Sequence, residues 1–214
     1  MGRAGPAASG LVRTRCVPVS SALFKFVEKL MPMTVIDSQG IPDESLPIVE
    51  LAAQMRLADS YETVPGQEAR LRLRLRASIG AVERRIGKAI IRREFILAGE
   101  VKAGTRIQLP IAPVDAIVSV SAARAGALFS LGNARIEPDA HRPVAVMKQA
   151  VIDGEWVRMT VKAGFGTWIE VPEALRQAVL LMAEALDAGE GPGLVPMAET
   201  LIAPFRSIRI GSTV

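Results

Sequence analysis

Aromatic residues and cysteine are scarce in this chain. Phe, Trp and Tyr make up only 4% of its 214 residues, although half of all residues are hydrophobic. The core must therefore be built from aliphatic side chains, and a nucleic-acid reader that stacks bases on aromatic rings is disfavoured. The single cysteine, Cys16, excludes an intrachain disulfide and a cysteine-rich zinc site, and it suits a reducing compartment. No run of 18 apolar residues occurs, so we predict no membrane-spanning helix.

Acidic residues are almost missing from the first 32 positions. This segment holds five basic residues and one acid, whereas the other 182 residues hold 21 of each. The formal charge of +4 is therefore confined to the N-terminal segment. A neutral body argues against a general DNA-binding surface.

Residues 1–32 are predicted to be a poorly ordered arm. Three origins are considered: a secretory signal, an organellar presequence, and a chain started upstream of a natural start at Met31 or Met33. Arg13 interrupts the apolar core that a secretory signal needs. An organellar presequence matches the Arg-rich, acid-poor composition. We favour the upstream start.

Groups that could carry catalysis are few. His141 is the single histidine and lies in a predicted loop, so we interpret it as a surface residue. Cys16 lies in the predicted arm, and Asp43 and Asp139 follow prolines, which is typical of turns. No Gly-x-Ser-x-Gly elbow, Walker loop or dinucleotide fingerprint occurs. We therefore predict no enzymatic activity, no metal site and no cofactor.

Helical spacing of apolar residues marks two segments near each end of the chain. The predicted helices are 46–57, 67–86, 172–187 and 196–203. Within the second, the run from Leu71 to Arg76 alternates like a strand, but the longer window follows a helical period and Gly87 suits its end. The apolar stripe of the third predicted helix consists of Leu175, Val179, Met182 and Leu186.

Between the helices, residues 89–163 are rich in Val and Ile and are interrupted by Gly, Pro, Asp and Asn. The predicted strands are 89–97, 106–111, 116–122, 135–138, 144–148 and 155–163. Alternation in the last of these indicates a half-buried strand, and Asp153-Gly154 suits a tight hairpin turn. The predicted fold class is α+β: a small helical bundle of two N-terminal helices plus C-terminal helices, with a β-rich insertion and an extended C-terminal tail.

Basic residues cluster on the second predicted helix, and acidic residues cluster on the last two. The candidate residues for a subunit interface or a channel are Arg72, Arg74, Arg76, Arg84, Arg85, Glu173, Glu184 and Asp187. A solvated helix face, contact with DNA phosphates and contact with an acidic neighbour are the three alternatives. We favour contact between unlike surfaces of adjacent copies, or with a partner protein, because such surfaces suit a head-to-tail ring.

The C-terminal residues after Pro204 form the second distinctive segment. Phe205, Ile208 and Ile210 are apolar and are separated by arginines. Such a segment is either a frayed end or an arm that becomes ordered on a partner, by pairing with a sheet edge or by filling a groove.

Several segments in a fixed order resemble one known family. They are 46–57, which ends in Arg56-Leu57; Ala163-Gly164-Phe165-Gly166; Val171-Pro172 followed by 175–181; and 195–201 followed by Pro204-Phe205-Arg206. Across residues 33–210 their order and spacing resemble those of the head-tail connector, or adaptor, proteins of tailed phages and gene transfer agents.

The resemblance implies a non-enzymatic virion protein of the head-tail junction that is assembled in the bacterial cytoplasm. It implies a homo-oligomer, a dodecameric ring beneath the portal, with non-specific DNA in its lumen, a tail-side connector protein as a further partner and no membrane. Residues 33–204 then form the connector domain and 205–214 the docking tail, whose portal-contacting residues are Phe205, Arg206, Ile208, Arg209 and Ile210. A tail-terminator or tail-completion ring protein is the main alternative, followed by a DNA-packaging factor and a small enzyme.

Overall fold

Helices and strands separate along the chain into a helical bundle and a pair of sheets. The computed structural model describes residues 32–124, 127–188 and 193–206, and the elements below are those of this part of the chain. The helices are α1 (Ile48–Gln54), α2 (Gln67–Ile86), α3 (Glu173–Ala188) and α4 (Leu194–Ile202). The strands are β1 (Thr34–Ser38), β2 (Arg93–Val101), β3 (Gly104–Gln108), β4 (Val114–Arg124), β5 (Ala127–Ser130), β6 (Ala134–Glu137), β7 (Val144–Val151) and β8 (Glu155–Ala163). The predicted α+β class is confirmed.

The helical period decides the structure of α2. The five residues at helical spacing, Leu71, Leu75, Ile79, Val82 and Ile86, are all buried, whereas Leu73 in the alternating run points to solvent. A strand would bury Leu71, Leu73 and Leu75 together and would leave the other apolar residues without a shared face. Gly66 before the helix and Gly87 after it both have a positive φ, which suits glycine at these ends.

Helix α3 is the centre of the bundle and contacts α1, α2 and α4. Leu175, Val179 and Met182 of its predicted stripe are buried, but Leu186 is exposed. Alanines take part in the burial instead, because Ala178 and Ala183 have side chains short enough for close helix packing. The buried face is therefore wider than the single stripe that the spacing indicates.

The bounds of the two short helices differ from the predicted ones. Helix α1 has seven residues rather than the twelve of 46–57, because Pro47 precedes it and Arg56 adopts a left-handed conformation with φ 52° beyond its end. Helix α4 starts at Leu194 rather than at 196. Gly193 precedes it with φ 102°.

Two antiparallel sheets enclose the second hydrophobic core. The larger has the strand order β1-β2-β8-β4-β5, and the smaller has the order β3-β7-β6. Strand β8 is central and alternates as predicted, with Val157, Met159 and Val161 fully buried. Apolar residues of both sheets belong to this core, including Leu97 of the larger sheet and Met147 of the smaller. The sheets therefore pack face to face.

Two features of the sheets differ from the predictions. Strands β1 and β5 lie outside all the predicted ranges, and they are the two edges of the larger sheet. The hairpin prediction at Asp153-Gly154 is wrong, although a turn is present and Gly154 has φ 73°. Strand β7 pairs with β3 and β6, whereas β8 pairs with β2 and β4, so the turn passes the chain from one sheet to the other. Strand β8 therefore lies in the middle of the larger sheet, where its apolar face is fully buried.

Candidate subunit and partner surfaces

Most of the arginines on α2 have acidic partners within the same subunit. Arg70 Nε donates a hydrogen bond to Asp187 Oδ1 at 2.7 Å, and Arg74 Nε lies 3.5 Å from the same oxygen. The Asp187 side chain is almost buried between these two guanidinium groups. Asp187 therefore joins α3 to α2, and its charge is largely neutralised inside the subunit.

Three further arginines of the predicted interface are paired in the same way. Arg72 binds Glu68 one turn earlier at 2.5 Å, and Arg76 binds Asp43. Arg85 Nε lies 2.5 Å from Glu199 Oε1, which ties α2 to α4. These pairs are half-exposed, so each contributes little to stability but reduces the field that the helix presents to a partner.

The other three charged residues of the predicted interface differ in whether they have a partner within the subunit. Glu184 accepts a hydrogen bond from Gln54 Nε2 at 3.0 Å within the subunit. Arg84 and Glu173 are exposed, and neither forms an ion pair with another described residue. The side chains predicted from sequence to meet across an interface therefore divide into six that have partners within the subunit and two that do not.

The junction between bundle and sheets holds an ion pair that is almost buried. Arg93 donates from both terminal nitrogens to Glu83, at 2.8 and 2.7 Å, and the two side chains are only 8% and 13% exposed. Glu83 also accepts the N–H of Ile90 at 2.8 Å. The Arg93 guanidinium stacks 4.5 Å from the centre of the Phe95 ring. This cluster fixes the exit of α2 relative to the start of β2.

The Ala163-Gly164-Phe165-Gly166 turn braces the same junction from the other side. Phe165 N–H donates to Ile90 O at 3.1 Å, and Arg92 N–H donates to Gly166 O at 2.9 Å. A side chain at Gly164 would collide with the backbone of Arg92. At Gly166 it would collide with the carboxylate of Glu170, which accepts the N–H and hydroxyl of Thr167. These bonds lower the pKa of Glu170.

A groove of about 520 Å³ lies at this junction. Pro204 and Phe205, near the C-terminal end of the described residues, form part of its lining. Phe205 is half-buried and packs on the helical core, with Lys88 Nζ 6.0 Å from the centre of its ring. Burial lowers the pKa of Lys88, although Asp139 acts in the opposite direction. Arg206 pairs with Glu199. Two of the five predicted docking residues are thus held on the subunit, and Ile208, Arg209 and Ile210 lie outside the described residues.

Three solved structures with a similar fold come from gene transfer agent particles. A chain in the neck of an empty gene transfer agent particle, computed with C6 symmetry, is 30% identical and has a TM-score of 0.69 over 84% of this chain and 97% of that one. A chain of the native gene transfer agent virion is 30% identical over 83% and 96%, with a TM-score of 0.68. A chain in the native neck, computed with C12 symmetry, is 30% identical over 84% and 97%, with a TM-score of 0.63. The chain belongs to this family of neck proteins. No protein-family model and no curated protein matches it.

As a neck protein, the chain is a structural component of a phage-like particle, and the similar solved chains are parts of a neck or a virion. His141 is exposed on a turn where Asp139 accepts the N–H groups of residues 141 and 142, which lowers the pKa of Asp139. Within the described ranges no three His, Cys, Asp or Glu residues are grouped so as to hold a metal ion. None of the helices described is long and apolar enough to span a membrane.

Proposed function

We propose that this neck protein is the head-tail adaptor of its particle. Twelve copies form a ring between the portal and a tail-side connector protein, and the ring continues the channel through which DNA leaves the head. The supporting observation is the similarity, over almost their full length, to chains of necks computed with C6 and C12 symmetry. Residues 33–204 form the ring-building connector domain, and 205–214 form the docking tail.

The charge distribution suits a channel that DNA must pass without being held. Each exposed guanidinium in a lumen attracts a phosphate, and such contacts add up to strong, salt-dependent binding. In this subunit five arginines of α2 are paired with Glu68, Asp43, Asp187 or Glu199. A surface neutralised in this way lets DNA slide with little sequence preference or retention.

The pairing of charges within the subunit also decides which of the predicted interface residues we assign to contacts between copies. Arg84 and Glu173 are the two whose charge is available to an adjacent copy, and we assign them to the subunit interface. The other six are paired within the subunit and present a neutral face to the interface or the channel. They are Arg72, Arg74, Arg76, Arg85, Glu184 and Asp187.

The docking tail extends from a fixed base. Phe205 packs on the helical core, and Arg206 is paired with Glu199, so the direction in which the chain leaves the subunit is set by α4 and the groove. Ile208, Arg209 and Ile210 then supply alternating apolar and basic side chains. This pattern suits addition to a sheet edge or insertion into an apolar groove of the portal.

Deletion of residues 207–214 is expected to weaken binding to the purified portal at least tenfold, a loss of about 1.4 kcal/mol or more. The monomer should keep its circular dichroism spectrum and melting temperature, because the shortened chain keeps every residue of the described helical core, including Phe205. Two double variants of full length test whether the apolar side chains, rather than the length of the tail, are responsible. Ile208→Asp with Ile210→Asp should reproduce the loss of portal affinity, whereas Ser207→Ala with Ser212→Ala should not. Equal portal affinity for the full-length and shortened chains would contradict the docking role.

The same binding assay separates the adaptor from a tail-terminator or tail-completion protein. An adaptor binds the portal in the absence of the tail tube. Binding to isolated tail tube with no affinity for the portal would show that the ring belongs to the other side of the neck.

A further inference from the structure

The larger sheet ends in two strands whose outer sides pair with no other strand of the described ranges. Its order is β1-β2-β8-β4-β5, so β1 and β5 lie at opposite edges. No other strand of the described ranges pairs with the outer side of either one. An open strand edge presents a row of unpaired N–H and C=O groups, which natural proteins cover or protect.

Both edges also carry exposed apolar side chains. Val35 and Ile36 of β1 are 42% and 54% exposed, and Leu128 and Phe129 of β5 are 58% and 51% exposed. β5 contains no proline and no charged residue that would protect it from pairing. Four large apolar residues at two open edges are unfavourable in an isolated subunit and suit an interface.

The exposed residues continue rows that are buried in the middle of the sheet. Val35 is opposite Leu97, which is opposite Met159, and both of these are fully buried. At the other edge Phe129 is opposite Ala122, which is opposite Val157, again both fully buried. Val35 and Phe129 therefore lie on the core face of the sheet and lack only a further strand to cover them.

The hydrogen-bond pattern shows which groups of β5 face outward. Leu131 N–H donates to Val120 O at 3.0 Å, and β5 pairs antiparallel to β4. Since the bonded pairs alternate in an antiparallel ladder, Phe129 also exchanges bonds with β4, and the backbone groups of Leu128 and Ser130 point away from it. No backbone bond from these outward groups to another described strand is present, so we infer that they can pair with another chain.

We propose that β5 of one subunit pairs with β1 of the next, so that the larger sheet continues from copy to copy around the ring. The inference rests on the ring of the proposed function and specifies how its subunits join. The occupant is a second copy because the two open edges are different surfaces at opposite ends of one sheet, which is the arrangement that gives a head-to-tail closed ring.

The dimensions agree with such a ring. Five strands spaced about 4.8 Å apart advance about 24 Å per copy, so twelve copies give a circumference of about 290 Å and a radius of about 46 Å. A closed ring of this radius encloses a lumen for a DNA channel. Pairing would cover Val35 and Phe129 and would satisfy the outward backbone groups of both edges.

Cysteine cross-linking tests the contact in assembled rings. In a Cys16→Ser background, Val35→Cys and Phe129→Cys are combined in one chain, and rings formed on the portal are treated with a short bifunctional thiol reagent. Facing or diagonal side chains of paired strands are about 5–8 Å apart and should be bridged. We expect a ladder of covalent oligomers on denaturing gels, with each single-cysteine chain giving at most dimers. Rings that yield only monomers from the double variant would overturn the proposal.

A proline substitution tests the hydrogen bonds separately. Leu128→Pro removes an N–H that faces away from β4, so the monomer should keep its circular dichroism spectrum, while the paired edge is blocked. Leu128→Thr keeps the N–H and is the matched control. We expect the proline variant to lose ring formation and the threonine variant to retain it. Normal rings from a folded proline variant would refute the pairing but leave the adaptor ring intact, whereas failure of the unmodified protein to form any ring would refute the proposed function itself.

Discussion

Replacement of Glu83 by alanine is expected to lower the free energy of unfolding of the subunit by about 3–5 kcal/mol, because it leaves the guanidinium of Arg93 without its partner in a buried site. Arg93 is 8% exposed and gives two hydrogen bonds to this carboxylate. The N–H of Ile90 would lose its acceptor as well. Urea denaturation of the monomer, followed by circular dichroism, measures the effect.

Two comparisons make the Glu83 experiment specific. Glu68→Ala removes a half-exposed partner of Arg72 on the same helix and should cost no more than about 0.5 kcal/mol. Glu83→Leu combined with Arg93→Met removes both buried charges and should recover most of the loss. A cost below about 1 kcal/mol for Glu83→Ala would mean that the pair does not hold the junction between bundle and sheets.

Replacement of Gly164 by alanine is expected to destabilise the subunit by about 3–5 kcal/mol or to prevent folding, through both backbone strain and steric overlap. Gly164 has φ 130°, which side-chain-bearing residues rarely adopt. Its Cβ would lie 2.5 Å from Arg92 N and 2.6 Å from Ile91 C, which are backbone atoms that cannot move aside cheaply. Soluble yield and thermal melting of the purified variant are the measurements.

The chain contains matched glycines that separate the two causes at Gly164. Gly154 has φ 73° but open space around its Cβ position, so Gly154→Ala should show only the strain, about 1 kcal/mol. Gly40 has neither a positive φ nor a neighbour within 4 Å, and its replacement should be close to neutral. A melting temperature for Gly164→Ala equal to that of Gly154→Ala would show that the close approach to Arg92 is not a constraint.

Local sequence patterns were sufficient to predict the elements in which one pattern extends over many residues. In α2 the helical spacing of apolar residues extends over 20 residues, whereas the strand-like alternation covers only six. The observed bounds, Gln67–Ile86, coincide with the predicted range. Strand β8 alternates between buried positions and partly or fully exposed ones over its full length, as expected where one face of a sheet packs on the core. The glycines around Gly164 are visible in the sequence as part of a short motif. Their reason is structural, because a side chain there would collide with Arg92 or Glu170.

Contacts between distant parts of the chain were beyond local patterns. Asp187 is 117 positions from Arg70, so no spacing rule could have paired them, and the acids and bases assigned to different copies meet largely inside one copy. Strands β1 and β5 are only five and four residues long and were missed, because their place at the sheet edges depends on β2 and β4. The charge cluster was recognised from sequence, but its neutralisation was not.

Electron cryo-microscopy of the purified protein mixed with its portal measures the adaptor role most directly. We expect a ring of twelve copies seated on the portal, with the residues after Arg206 in contact with the portal and an open channel along the axis. A protein that stays monomeric on the portal, or that forms a ring only at the end of the tail tube, would contradict the adaptor assignment.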